Sequence, residues 1–567
     1  MGFDNVMLTL DETVTDFFGQ WDVYTTLIAG CLVTFFVYQV TSSRDPDAHP
    51  MLLARQAQAS PVRQEGQSAV FRSHAAPHGM PLNSGLNVKD PGDSKWSRGR
   101  DGDLRDVWRR VVSGGIDREG KETGEKGRLL TVLGSEQIID HDITDINRQI
   151  ALIGQHIKGN GGENIAIYLP NSIEFLATLF ACAFYDLTAI LVPYDQDQPV
   201  ESIISLLGQS KADTVVAAVG SFPFDVIKKS YPALKQLIWV VDEGSKHMDW
   251  NEVPTGTGGP VNVSTWQEIV QDAPATGLEL PSVDRKAELK NILAFWPSGE
   301  LVEYTHANII AGIAGQLSSL PAAHRINHSD LFLPVDSLST MYPLVLTLSA
   351  LYSNAPVALN SVAGTSPDLV LATQGISPTI VVASPGTLTK VLSETAAKMS
   401  SPVYKIVHWF QTRSLIQQGV MPASTMFSRP FDSLRPIIGS TPGKLRLIYV
   451  SEQIGAKSTP LTAKNLSDLR IYTGARIIYS LASSKVAGAV TQTGVYDYRV
   501  DENSEQNAHF GAPVSSVEFF LKDTKDHKTT DESSRGEIYA RGPAVVGGEA
   551  SLGVNGRIAE DSTLVLL

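Results

Sequence analysis

Short runs of β-branched and aromatic residues alternate with longer apolar or amphipathic runs along most of the chain, and this alternation constrains the fold most. The clearest amphipathic run spans residues 142–159, with Thr144 as its predicted N-cap and Gly159 as its predicted end. Its apolar stripe at helical spacing is Ile146, Ile150, Ile153 and Ile157. The runs predicted as strands are NIAIYLP, AILVP, ADTVVAA, QLIWVVD, NILAFWP, LFLPV, APVAL, TIVVAS and LRLIYVS. Apolar strands that alternate with helices are typical of parallel sheets with covering helices, so the sequence predicts an α/β fold.

Composition narrows the class of protein. Of 567 residues, 43% are hydrophobic and 19% are charged, which is the balance of a folded chain. The net charge of −14 argues against a nucleic-acid partner, because phosphate binding needs a basic face. The two cysteines, Cys31 and Cys182, cannot form a disulfide framework, which fits a reducing compartment.

An uncharged run from Val23 to Val40 interrupts an otherwise polar beginning. Its length is just sufficient for a transmembrane helix, and a buried core helix is the alternative. The preceding residues, 1–22, form an acidic tail, whereas Arg44, Arg55 and Arg63 follow the run. The positive-inside rule then predicts one membrane crossing at 23–40, with the later residues in the cytosol. We expect an organelle membrane, with the endoplasmic reticulum first and the peroxisomal or mitochondrial outer membrane as alternatives.

Three further divisions follow from the local patterns. Residues 41–102 are rich in Pro, Ser, Gly, Gln and charge, which predicts a linker or an extended segment over the domain surface. Residues 103–508 carry the alternation of strands and helices. Residues 509–567 change to strands and turns, which predicts a small β subdomain.

Several polar groups could be mistaken for active sites. Asp140, His141, Asp142 and Asp145 crowd together without a ligand-bearing scaffold, which favours a turn and a helix cap over a metal site. Ser298 invites a hydrolase interpretation, but no G-x-S-x-G elbow surrounds it.

His306 and Asn308 are similarly interpreted as opening and capping a helix rather than as a catalytic pair.

The order of the segments resembles the adenylate-forming, AMP-binding superfamily, and within it the long-chain acyl-CoA synthetases. The resemblance extends from about residue 103 to the end. It is carried by ENIAIYLPNSIEFLATLFACAFYDLTAILVP, THANIIAG, LFLPVDSLSTMYPLVLTLSALYSNAPVAL, SPTIVVASPGTLTKVL, GARIIYSLASSKVAGAVTQT, GAPVSSVEFFLKD and RGEIYARGPAV. It implies an adenylate-forming N-terminal domain built of parallel α/β subdomains and a small β subdomain.

The resemblance also implies a chemistry. In that family a carboxylic acid attacks the α-phosphate of ATP, and CoA then takes the acyl group as a thioester. A Ser/Thr/Gly-rich loop with a lysine wraps the phosphates. A Thr-Glu pair after a Tyr-Gly turn holds the α-phosphate and Mg²⁺, an aspartate holds the ribose, and a lysine on a C-terminal lid offsets charge.

This sequence departs from the family at the phosphate loop. The stretch AFWPSGELVEYTHANIIAG begins like the loop and ends like the helix after it. Ser298 and Gly299 are followed only by Glu300 and Leu301 before the Val-x-x-Thr-His segment. The wrapping residues and their lysine are absent, and Glu300 puts negative charge where phosphates would lie.

Other family positions also differ. Tyr479 and Ser480 stand in place of Tyr-Gly, while Ala482 and Ser483 replace the Thr-Glu pair. Ser337 stands in place of a family histidine, and the printed sequence shows no Thr-Gly-Asp and no lid domain before Leu567.

We therefore expect a membrane-anchored, catalytically inactive relative with no catalytic residue, no metal and no cofactor. Ser298, Gly299, Tyr479 and Ser480 would line a vestigial nucleotide pocket. The expected partners are the membrane and a protein partner or acyl ligand.

Two alternatives stay open. An active fatty-acid–CoA ligase would need a compensating lysine and acid, for which Lys485 with Glu452 or Glu300 are the candidates. A truncated ligase gene product is the other.

Overall fold

The computed structural model describes residues 19, 22–41, 44–89, 94, 96–115, 124–133, 137–195, 198–241, 256–258, 261–271, 279–282, 289–360, 367–425, 428–456, 458–500, 508–531 and 533–567. The chain divides into two compact units, Met1–Asp47 and Ala48–Leu567, each of which is described by itself.

Among the described residues of the first unit, helix α1 spans Val23–Thr41. A helix was predicted here, but the transmembrane prediction is not supported. Within the described ranges, no helix combines the length and the hydropathy that a membrane crossing requires.

The second unit alternates helices and strands. Its helices are α2 Pro50–Ala54, α3 Leu104–Ser113, α4 Ile143–Gly159, α5 Ile173–Tyr185, α6 Val200–Ser210, α7 Phe224–Ser230, α8 Trp266–Gln271, α9 His306–Ser319, α10 Met341–Tyr352, α11 Leu369–Ala372, α12 Pro385–Lys398, α13 Pro402–Gln417 and α14 Ala463–Thr473.

The strands of the second unit are β1 Ala57–Ala59, β2 Phe71–Ser73, β3 Leu129–Leu133, β4 Gln137–His141, β5 Asn164–Tyr168, β6 Thr188–Leu191, β7 Thr214–Ala218, β8 Gln236–Val240, β9 Gly256–Gly258, β10 Val261–Thr265, β11 Ile292–Phe295, β12 Leu301–Tyr304, β13 Phe332–Pro334, β14 Val357–Asn360, β15 Ile380–Val382, β16 Leu447–Gln453, β17 Arg476–Ala482, β18 Ala489–Gln492, β19 Ala512–Pro513, β20 Glu518–Lys522, β21 Arg535–Arg541, β22 Glu549–Ile558 and β23 Leu564–Leu566.

Two sheets are mostly parallel. The eight-stranded sheet has the order β12-β11-β6-β5-β7-β8-β10-β9, with antiparallel strands only at its two edges. The nine-stranded sheet has the order β19-β18-β17-β16-β15-β13-β14-β3-β4, in which six consecutive strands from β17 to β3 are parallel. All nine runs predicted as strands lie in these sheets. Parallel strands are buried on both faces, which explains why their sequences are apolar throughout.

The third sheet is antiparallel and has the order β1-β2-β20-β21-β22-β23. Its first two strands come from the segment predicted as linker or extended chain. Phe71 of β2 pairs with Phe519 of β20, and their rings stack with centroids 5.3 Å apart. Residues from both ends of the second unit therefore build this sheet together.

Helix α4 tests the periodicity argument directly. The isoleucine stripe is fully buried, and the helix ends at Gly159, both as predicted. The predicted N-cap, Thr144, is wrong. Asp142 is the N-cap and accepts from the Thr144 N–H at 2.9 Å, because its carboxylate can reach an unpaired donor of the first turn.

Candidate functional site

The candidate site lies where the β11–β12 hairpin meets the ends of β16 and β17. The Trp296 indole N–H donates to the Ile454 carbonyl, just beyond β16, at 2.7 Å. The buried Tyr304 hydroxyl donates to the Ser484 carbonyl, just beyond β17, at 2.7 Å. These bonds join the eight-stranded and nine-stranded sheets, so the stretches AFWPSGELVEY and GARIIYSLASS lie close together in space.

The sequence gap at the phosphate loop is a tight turn between β11 and β12. The Gly299 N–H donates to the Trp296 carbonyl at 2.8 Å, and the Trp296 N–H donates to the Glu300 carbonyl at 2.9 Å. Gly299 has a φ of +86°, a conformation that a side chain disfavours. Ser298 occupies the turn beside it. The hairpin is therefore closed by its own backbone.

Glu300, at the end of this turn, contacts the segment after β17. Its carboxylate forms an ion pair with the Lys485 ammonium and accepts from the Ser484 hydroxyl at 3.0 Å. The Glu300 side chain is 41% exposed and the Lys485 side chain 38% exposed. The Lys485 ammonium lowers the pKa of Glu300, so the Glu300 carboxylate is ionised at neutral pH.

Tyr479 lies in the middle of β17 and is fully buried. Its ring stacks on Phe510 with centroids 4.7 Å apart. Its hydroxyl accepts from the Leu461 N–H at 3.2 Å and donates to a Glu452 oxygen at 3.5 Å. Burial raises the pKa of the Tyr479 hydroxyl. Tyr479 is therefore part of the core rather than a surface of a cleft.

Glu452, on β16, is 4% exposed. The Ser458 hydroxyl donates to its other oxygen at 2.9 Å. Burial raises the pKa of Glu452 to about 6. Of the two candidate acids, Glu300 is therefore the one that pairs with Lys485. Glu452 contacts Tyr479 instead.

The remaining predicted positions on β17 are also buried. The Ser480 hydroxyl lies 2.7 Å from the Tyr342 hydroxyl of α10. Ala482 ends the strand and the buried Ser483 follows it, where its hydroxyl accepts from the Lys485 N–H at 3.2 Å. Where the family carries a metal-binding glutamate, this chain has a hydroxyl that caps a turn.

Three of the polar residues singled out in the sequence have hydrogen-bond partners outside this site. Asn308 and Thr305 form a reciprocal cap on α9, which begins at His306. The Ser337 hydroxyl lies 2.8 Å from that of Ser339, in the turn before α10. In the part of the chain that the structure describes, no group of three or more His, Cys, Asp or Glu side chains is arranged to hold a metal ion.

The family pattern did not single out Ser484 or Tyr342. Ser484 could have been found only through its neighbour Lys485. Tyr342 gave no local signal, because its contact with Ser480 spans 138 positions.

Comparison with known proteins identifies the fold. No protein-family model matches the sequence, and no curated protein matches it. Solved structures do match. An anthranilate CoA ligase in complex with anthranoyl-AMP is 14% identical, with a TM-score of 0.57, and the match covers 82% of this chain and 77% of that one.

Two further structures match over similar lengths. A long-chain-fatty-acid-CoA ligase from Archaeoglobus fulgidus is 14% identical, with a TM-score of 0.56, covering 86% of each chain. The N-terminal domain of FACL13 from Mycobacterium tuberculosis is 11% identical, with a TM-score of 0.55, covering 82% of this chain and 100% of that one. The second unit therefore has the mixed α/β fold of the N-terminal domain of adenylate-forming ligases, as the motif order predicted.

Proposed function

We propose that this chain is an acyl-CoA synthetase-like protein that does not form acyl-adenylates and acts instead in binding or scaffolding in lipid metabolism. The observation that carries the proposal is the closed turn at Trp296–Glu300, together with the ion pair between Glu300 and Lys485. Both features occupy the place where the fold's relatives are expected to hold nucleotide phosphates.

The turn has few backbone donors to offer. A phosphate-binding loop works by pointing successive N–H groups at the anion. Here the Trp296 and Gly299 N–H groups donate within the turn, and Pro297 has no N–H. A triphosphate would have to break these bonds before it could be held.

Charge at the site points the same way. Lys485 is the cation beside the turn, and Glu300 already neutralises it. A triphosphate brought to this pair would meet the Glu300 carboxylate as well as the ammonium. The residues present therefore do not fit ATP.

A magnesium ion would also lack ligands. Both carboxylate oxygens of Glu452 accept hydrogen bonds from Ser458 and Tyr479, and the side chain is buried. Hard cations favour several accessible oxygens, which Ala482 and Ser483 do not supply.

The proposed location is the cytosol-facing side of an organelle membrane, the endoplasmic reticulum first, with a protein partner or an acyl ligand. Its support is the family resemblance and the basic residues Arg44, Arg55 and Arg63 that follow α1.

The test is pyrophosphate release by the purified full chain with ATP, Mg²⁺, CoA and a panel of fatty acids. We expect no fatty-acid-dependent release above a heat-denatured control, and no Mg²⁺-dependent heat of ATP binding. Losing one charge-stabilising group typically costs about 10²–10³ in rate, so the combined differences leave negligible turnover.

Release that depends on fatty acid, and that Lys485→Met abolishes while the fold persists, would establish the active ligase instead. The half-exposed position of Lys485 makes this variant a suitable probe, because its replacement leaves the core untouched.

A further inference from the structure

Helix α13 carries apolar side chains on two faces. Its inner face holds Tyr404, Gln411 and Leu415, which are buried. Tyr404 and Leu415 belong to a small core cluster that also contains Ile471, Tyr472 and Tyr498. A helix with one covered face would normally be polar on the other.

The α13 outer face, defined as Val403, Ile406, Trp409 and Phe410, is instead exposed. These side chains are 62%, 60%, 54% and 49% exposed, respectively. Val403, Ile406 and Phe410 recur at spacings of three and four, so they form one stripe along the helix. The Trp409 and Phe410 rings touch edge to face, with centroids 4.9 Å apart. A contiguous exposed apolar patch of this kind marks an interaction surface.

Two basic residues accompany the α13 outer face on the same helix. Within α13 the only formally charged residues are Lys405 and Arg413, and both are exposed. The Arg413 guanidinium lies 5.6 Å from the centre of the Trp409 ring. Residues 398–435 contain five basic residues and one acidic residue, a net charge of +4 in a chain whose total is −14. The local charge therefore has the opposite sign to that of the whole protein.

A groove of about 920 Å³ separates α13 from α14 beside this face. Lys405 and Lys464 both line it, and both are exposed to solvent. Ammonium groups at the rim of a groove, next to exposed aromatic rings, can receive phosphate headgroups while the rings enter the acyl boundary.

We propose that the α13 outer face docks on an anionic phospholipid membrane, with Ile406, Trp409 and Phe410 in the interface and Lys405 and Arg413 on the headgroups. Apolar side chains flanked by Lys and Arg are the chemistry of helices that lie in a membrane interface. The docking proposal depends on the proposed function only in assuming that the protein is located at a membrane. It does not depend on whether the chain uses ATP.

The experiment measures co-sedimentation of the full chain with phosphatidylcholine vesicles that contain or lack phosphatidylserine. We expect binding to require phosphatidylserine. The double variant Ile406→Ser, Phe410→Ser should weaken it on the order of tenfold or more, because two half-exposed apolar side chains no longer enter the interface. Lys405→Glu with Arg413→Glu should weaken it about fivefold or more per position.

The matched control is Trp96→Ser with Val226→Ser. These residues are 92% and 50% exposed and lie elsewhere on the second unit, so their loss should leave vesicle binding unchanged. Circular dichroism and thermal unfolding should be unchanged in all variants.

Vesicles with brominated acyl chains add a local readout, because bromine quenches only tryptophans that reach the chains. Trp409→Phe should remove most of the quenching, whereas Trp96→Phe, at an exposed position outside the α13 outer face, should not. Quenching that survives Trp409→Phe, or binding that ignores the α13 variants, would overturn the proposal. So would a lipid-free dimer that the same variants dissociate, since the face would then cover a second copy of the chain.

Discussion

The two sides of the candidate site contain an acid each, and the two acids have opposite surroundings. On the strand side, Glu452 is buried beside Tyr479, and its pKa is raised to about 6. On the turn side, Glu300 is 41% exposed and paired with Lys485, and its pKa is lowered. Burial opposes the charge of the first, and an ammonium group favours the charge of the second.

The difference shows that two acids near one site can have different structural roles. The strand side belongs to the hydrophobic core, so its residues contribute to stability. The turn side is a surface ion pair, whose residues contribute little to stability and mainly set the local charge. Substitutions on the two sides should therefore differ in size, and the acids should differ in the sign of their pH dependence.

The largest expected effect is on the strand side. Tyr479→Ala should lower the free energy of unfolding by about 3–5 kcal/mol, because it empties a ring-sized space against Phe510 and leaves the Leu461 N–H without its acceptor. Chemical denaturation followed by circular dichroism measures the change.

The control for that variant is Tyr479→Phe, which keeps the stacked ring and loses only the hydroxyl. It should cost about 1–3 kcal/mol. If Tyr479→Ala cost no more than Tyr479→Phe, the ring would not be a core group and the strand side would be an open cleft.

The next effect concerns the buried acid. An acid whose folded-state pKa is raised contributes stability that is fully present below its unfolded pKa and is lost as pH rises through about 6. Glu452→Gln removes the buried charge, so it should stabilise the protein by on the order of 2 kcal/mol at pH 7.5 and by almost nothing at pH 4.5. Unfolding curves across that range provide the measurement; equal gains at both pH values would contradict the assignment.

The smallest effect is expected on the turn side, where the sign reverses. Glu300 has a lowered pKa, so its contribution is present above its unfolded pKa and is lost as pH falls. Glu300→Gln should cost about 0.2–1 kcal/mol at neutral pH and nothing in acid, since both partners are partly solvated.

A double-mutant cycle with Lys485→Met checks the pairing directly. The coupling between Glu300 and Lys485 should fall as salt is added, because solvent-exposed pairs are screened. A coupling free energy as large as the stability lost in Tyr479→Ala would contradict the view that the turn side is a weak surface ion pair and the strand side a core cluster.

The architecture followed from the sequence because parallel strands and their helices carry local signals. The nine apolar runs and the isoleucine stripe of α4 needed only their own spacing to be recognised. The N-cap of α4 was misplaced by two residues, because Asp142 and Thr144 are both good caps and the choice depends on backbone geometry.

The site was only partly predictable. The short turn at Ser298 and Gly299 was visible as a gap against the family pattern, and its partners came from the other sheet. No local sequence signal indicated that Tyr479 and Ser480 would be buried. None indicated that Glu300 would form an ion pair with Lys485 rather than remain solvated. The contacts of Ser480 and Glu300 join residues 138 and 185 positions apart. Tyr479 stacks on Phe510 from a different strand-and-loop segment.

The six-stranded sheet has a consequence for synthesis. Arg72 of β2 meets Glu518 of β20, and 446 positions separate them. At ribosomal speeds of about 5–20 residues per second, β1 and β2 wait roughly 20 to 90 s for their neighbours. An isolated hairpin is marginal in water, so Phe71 stays available to chaperones until β20 has been synthesised. Closure of this sheet is therefore a late event that follows the synthesis of both mostly parallel sheets.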